Sequence, residues 1–105
     1  MKPARLRLAA LEDLREAHAH YLRVAPQVAD DLLTEADFAR RHIGQYGQYP
    51  GTGSPRYGKL LGIRGLRSWP LDRFPYLIFY IERADHLDVL RLLHQSRDIP
   101  AQLTR

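Results

Sequence analysis

Four side chains in the second half of the chain could act on a phosphodiester: Arg64, Arg67, Arg91 and His94. Cleaving RNA through its own 2′-hydroxyl needs a base, cations for the phosphorane and an acid for the leaving oxygen. An imidazole titrates near neutrality, which suits His94 to acid or base work. Guanidiniums offer phosphate a planar fork, and Lys59 and Arg73 add cations in plausible places. Each residue also has a plainer reading. His94 ends a strand beside apolar residues, where a histidine bonds a backbone carbonyl. Arg91 alternates with Val89 and Leu93, so it can lie on a solvated face or pair with Asp98 or Asp88. Arg64, Arg67 and Arg73 flank tight connections, where charge guards edge strands against aggregation. Trp69 serves as core or sheet cover, or as a binding anchor. Tyr46, Tyr49 and Tyr57 surround a Pro/Gly loop and either stack on bases or pack that loop onto helices. His18, His20, His42 and His86 show no metal-ligand spacing with an acidic partner, so neither metal nor cofactor is expected.

The elements that must position these residues follow from periodicity. Arg5-Leu6-Arg7-Leu8 alternates as a half-buried strand does. Leu11, Leu14, His18, Tyr21 and Ala25 recur at helical spacing, predicting a helix over 11–24. Pro26 suits the first turn of a second helix. Val28, Leu32, Ala36, Ala39 and Ile43 form its apolar stripe, which Leu33 and Phe38 widen. Asp30 and Asp31 near its start and Arg40, Arg41 and His42 near its end complement the macrodipole. Gly44 and Gly47 are expected to stop it. The very short connection predicts an antiparallel hairpin.

Residues 48–58 are dense in Gly and Pro and read as a loop. Four strand-length segments follow: Leu60–Arg64, Arg67–Leu71, Tyr76–Ile81 and Leu87–Leu93. Tyr76–Ile81 is apolar on both faces and should be central. Residues 97–103 read as a short helix or coil. The predicted order is β-α-α-β-β-β-β, an α+β domain with a helix hairpin on a small, mostly antiparallel sheet. The first strand lies at an edge or pairs inside.

At 105 residues the chain makes one domain, residues 1–105. Its composition is ordinary for a globular protein. The absence of cysteine rules out disulfides and thiolate metal sites and fits a cytoplasmic location. The first residues lack the apolar core of a signal peptide, and the longest apolar run is too short to cross a bilayer. The net charge of +4 sits in one half: residues 1–53 balance, whereas residues 54–105 carry nine cations against five anions. A neutral half followed by a basic half suggests a scaffold and a surface for an anionic partner. The 14 arginines against two lysines fit phosphate or carboxylate recognition, or a GC-rich genome. A net +4 is modest for a general nucleic-acid binder.

Several stretches, in this order, resemble the ParE branch of the ParE/RelE toxin superfamily. They are Tyr49-Pro50-Gly51-Thr52-Gly53-Ser54-Pro55, Ile63-Arg64-Gly65-Leu66-Arg67-Ser68-Trp69-Pro70-Leu71, Phe74–Tyr80 and Leu90–Pro100, with the ending His94-Gln95-Ser96-Arg97-Asp98-Ile99-Pro100 ParE-like in particular. The resemblance spans Arg5 to Leu103. It implies a cytoplasmic type II toxin that stabilises a plasmid or genome. A cognate antitoxin, ParD-like or another ribbon-helix-helix protein, would wrap and neutralise it in a hetero-oligomer.

ParE toxins are understood to inhibit DNA gyrase, whereas RelE relatives cleave messenger RNA on the ribosome. RelE-type nucleases usually present a tyrosine close to the C-terminus. Here the last tyrosine is Tyr80, inside the predicted central strand. The resemblance therefore favours a non-enzymatic gyrase inhibitor with target-binding residues Arg64, Arg67, Trp69, Arg73, Arg91, His94 and Arg97. The alternative is a ribosome-dependent endonuclease using Arg64, Arg67, Arg91 and His94. An inert member of the fold that only binds its antitoxin is the third reading.

Overall fold

The computed structural model describes residues 1–104; Arg105, counted above in the basic half, lies outside the described residues. Strand β1 (Ala4–Leu6) leads into helix α1 (Leu8–Val24) and helix α2 (Pro26–Tyr46). Pro26 opens α2, where its missing N–H costs nothing. Ala10 and Ala17 of α1 and Ala29, Leu32, Ala36, Ala39 and Ile43 of α2 are buried. Small residues at these positions bring both helices close to the sheet. The hairpin is as expected, but Leu33 and Phe38 do not widen its stripe. Phe38 is 69% exposed, and Leu33, 37% exposed, only borders the groove beside the hairpin without being buried.

Gly44 does not stop α2, which continues to Tyr46. A methyl group there would lie 2.9 Å from the Lys2 carbonyl oxygen. The Lys2 N–H in turn donates to the Gly44 oxygen at 3.0 Å. The glycine lets the chain entering β1 pass against the helix. The α2 charges serve neighbours rather than the macrodipole. Asp30 meets His18, Asp31 and Glu35 meet Arg73, and Asp37 holds Arg40 and Arg41.

The predicted strand Leu60–Arg64 is a correction. Residues Arg56–Leu61 form a short helix, α3, in which the Lys59 N–H bonds the Pro55 oxygen at 3.0 Å. Gly62 ends it in the left-handed conformation with φ 69°, and Gly65 at φ 78° turns the chain into the sheet. A four-residue apolar run fits one helical turn as well as a strand, and two left-handed glycines break the extended reading.

Among the described residues the sheet therefore has four strands, not five. Strand β2 (Leu66–Pro70), β3 (Tyr76–Glu82) and β4 (Leu87–His94) pair antiparallel, and helix α4 (Ile99–Leu103) follows. The strand order is β1-β4-β3-β2, with β1 parallel to β4 at the edge. Tyr76, Ile78 and Tyr80 face the hairpin core with Val89 and Leu92. Leu77, Phe79 and Ile81 face the opposite side with Tyr57, Ile63 and Ile99, under α3 and α4. Apolar residues on both faces are why β3 is central.

The register shifts once. Phe79 lies opposite Arg91 and Tyr80 opposite Val89, which leaves Leu90 as the extra residue of a bulge. A bulge twists its strand and re-aims the neighbouring side chain; here that side chain is Arg91.

Candidate target-binding surfaces

The bulge turns Arg91 toward α1. Its Nε and Nη2 donate to the two carboxylate oxygens of Asp13 at 2.7 and 2.9 Å, and its Nη1 donates to the Gln102 carbonyl at 3.1 Å. The Leu92 N–H also donates to Asp13, at 3.0 Å. One carboxylate thus covers the β4 edge beyond Val89, where β1 has run out, and one guanidinium joins α1, β4 and α4. The hydrogen bond to Asp13 raises the Arg91 pKa, against the opposing effect of burial. Arg91 pairs with neither Asp88 nor Asp98.

Asp88 is itself buried, at 6% exposed. It accepts from Arg7 at 3.0 and 2.8 Å and from Arg83 at 3.1 Å. Burial pushes its carboxyl up, but the two guanidiniums outweigh that and hold it below the usual range.

His94 does not bond a backbone carbonyl. Its Nδ1 accepts from the Ser96 N–H at 3.0 Å and lies 2.7 Å from Ser96 Oγ. An accepting Nδ1 places the ring proton on Nε2 and leaves no free lone pair for a base. The ring sits edge-on to Tyr76 at 5.2 Å. Burial raises the Tyr76 pKa and nearby Tyr21 adds to it, while Arg97 pulls it down. Arg91, His94, Arg97 and Tyr76 line one cleft of about 840 Å³, with His20 and Arg23 on its α1 side.

Arg64 and Arg67 lie elsewhere. With Lys59 they border a shallow depression of about 390 Å³ at the α3–β2 turn, which shares no residue with the first cleft. Arg67 Nη1 reaches the Gly53 oxygen at 3.5 Å. Trp69 stacks on His42 at 4.6 Å and packs half-buried against the hairpin core. Arg73 is held by Glu35 at 3.1 Å and lies 3.8 Å from Asp31. The structure therefore brings Arg91, His94 and Arg97 together and places Arg64 and Arg67 apart from them.

The Pro/Gly loop is pinned from within the sheet. Tyr80 is 1% exposed and donates its hydroxyl to the Thr52 oxygen at 3.1 Å, and burial pushes its pKa up to about 12. Tyr57 packs edge-on against Phe79 at 5.5 Å. The Tyr46 ring lies tilted against His42, with centroids 4.8 Å apart, and Tyr49 is exposed.

Residues 4–99 match the family described as ParE toxin of type II toxin-antitoxin system, parDE. The chain belongs to the ParE toxin family. It is a toxin of a type II toxin-antitoxin system. A solved structure described as the chromosomal ParDE TA system from P. aeruginosa shares the fold. It aligns with a TM-score of 0.76 at 20% identity, covering 90% of this chain and 96% of that one. No curated protein matches this ParE chain in sequence. Sequence reasoning missed Asp13 as the partner of Arg91. It also missed Arg56, which lies one helical turn before Lys59 and near Arg64 and Arg67. A signal for the second was available: no acidic residue occurs between Asp37 and Asp72.

Proposed function

We propose that this ParE toxin acts in the cytoplasm by inhibiting DNA gyrase and blocking replication, and that a cognate ribbon-helix-helix antitoxin neutralises it. The observation that carries the non-enzymatic reading is the division of the candidate nuclease residues. Arg64 and Arg67 border one depression, Arg91 and His94 another. Arg91 is already neutralised by Asp13, and the His94 acceptor is already used. The target-facing residues are then Arg64 and Arg67 at one depression, Arg97 and His94 at the other, and the exposed part of Trp69. Arg73 and Arg91 support the surface by tying it to α2 and α1.

The antitoxin covers the apolar groove beside the hairpin, where Leu6, Leu14, Leu33, Ile78 and Leu92 line a cavity of about 220 Å³. Exposed Phe38 lies on the same helix as Leu33. The test is gyrase supercoiling and DNA cleavage with the purified chain. Inhibition with accumulation of cleaved DNA is expected; unaffected gyrase at toxin excess overturns the reading.

A ribosome-dependent messenger RNA endonuclease is the second reading, and one observation favours it. Tyr76, on β3 rather than in the tail, shares a cleft with Arg91, His94 and Arg97. Pulse labelling after induction of the toxin alone separates the two. Early loss of thymidine incorporation supports gyrase; early loss of methionine incorporation supports the nuclease.

A further inference from the structure

The stretch from Phe38 to Leu71 holds Arg40, Arg41, Arg56, Lys59, Arg64 and Arg67 and no acidic residue. Asp37 neutralises Arg40 and Arg41. The other four form no ion pair among the described residues. Outside this stretch Lys2, Arg7, Arg73, Arg83 and Arg91 each meet a carboxylate, while Arg5, Arg15, Arg23 and Arg97 form no ion pair among the described residues. Four unpaired cations thus run together from Arg56 to Arg67 with no acid between them, whereas the other four are spread over β1, α1 and the β4–α4 connection.

We infer that Arg56, Lys59, Arg64 and Arg67 form a contact surface for the phosphates of duplex DNA. Three of them line the depression at the α3–β2 turn, and Arg56 lies one helical turn before Lys59, over the Tyr57 ring. The depression contains no histidine, carboxylate or tyrosine, so it binds without cleaving. Two of its backbone donors are already used, the Ile63 N–H by the Gly58 oxygen and the Leu66 N–H by the Ile63 oxygen. Recognition thus falls to side-chain charge, which reads phosphate and not sequence.

The neighbouring aromatic ring argues for a duplex. Tyr57 is packed against Phe79, which leaves no stacking platform of the kind that holds single-stranded bases. The turn itself is rigid. A methyl group at Gly58 would stand 2.7 Å from the Leu66 carbonyl, so α3 and β2 are in close contact beneath the charges.

The inference requires only DNA, not gyrase, so its failure and that of the gyrase reading are separable. The test is fluorescence anisotropy of a short labelled duplex with the purified full chain. For four phosphate contacts, affinity should fall on the order of 100-fold between about 50 mM and about 200 mM salt. The Lys59→Gln/Arg64→Gln chain removes two exposed cations and should show only about a tenfold fall over the same range. An Arg5→Gln/Arg15→Gln chain, equal in charge, should keep the steep dependence. Equal losses in both variants would mean diffuse attraction and overturn the site, as would failure of the unaltered chain to bind. Tighter binding of a single strand, or of a polyglutamate peptide, would assign the patch to RNA or to an acidic protein and also overturn it.

Discussion

Two regions of the molecule use arginine in opposite ways. At the α1–β4–α4 junction, Arg91 is enclosed by Asp13 and the Gln102 carbonyl. At the α3–β2 turn, Lys59 and Arg64 stand exposed with no carboxylate partner among the described residues. The first region converts charge into architecture, because a half-buried guanidinium is stable only when paired. The second leaves its charge available to a partner. Residue type does not distinguish the two uses; the position of the nearest carboxylate does.

The largest expected effect breaks the enclosed region. Asp13→Ala leaves Arg91 and the Leu92 N–H without their acceptor, and stability should fall by about 2–3 kcal/mol. Chemical denaturation checks this, and an unchanged midpoint would mean that the pair is not structural. The open region should respond the other way. Arg64→Ala should leave stability within about 0.5 kcal/mol while weakening growth inhibition when the chain is expressed alone. Full toxicity in that variant would remove Arg64 from the target surface.

A third test uses pH. The folded Asp88 carboxyl titrates below its unfolded value, which is about 3.9. Its contribution is therefore complete above about pH 5 and is lost as pH falls through the folded pKa. Stability should drop across that acid window, and Asp88→Asn should flatten the drop. An unaltered acid slope in Asp88→Asn would mean that other carboxylates dominate.

The smallest effect concerns Phe38. Because it is exposed, Phe38→Ser should barely change stability. It should weaken antitoxin binding, as measured by calorimetry. Unchanged affinity would move the antitoxin off that side of the hairpin.

The helix hairpin was legible because Leu32, Ala36, Ala39 and Ile43 repeat at one helical period. Strand β3 was legible because apolar residues occupy both of its faces. Helix α3 was not, since Leu60-Leu61-Gly62-Ile63 is too short for periodicity to separate helix from strand. The partner of Arg91 was also hidden. Asp88 and Asp98 are near in sequence, whereas Asp13 is 78 residues away and becomes a neighbour only through the bulge and the crossing of α1. Of the candidate site residues, sequence supplied the types; the split between two depressions came from tertiary structure alone.

Strand β1 has one more consequence. Ala4–Leu6 pairs with Leu87–Val89, so β1 must wait for a strand made after β2 and β3. Until β4 emerges, the helix hairpin has only the β2–β3 pair to cover and β1 has no neighbour. Closure of so distant a pair is slow relative to local helix formation. A message broken before the β4 codons therefore yields a chain that lacks the strand both β1 and β3 pair with, and its sheet stays incomplete.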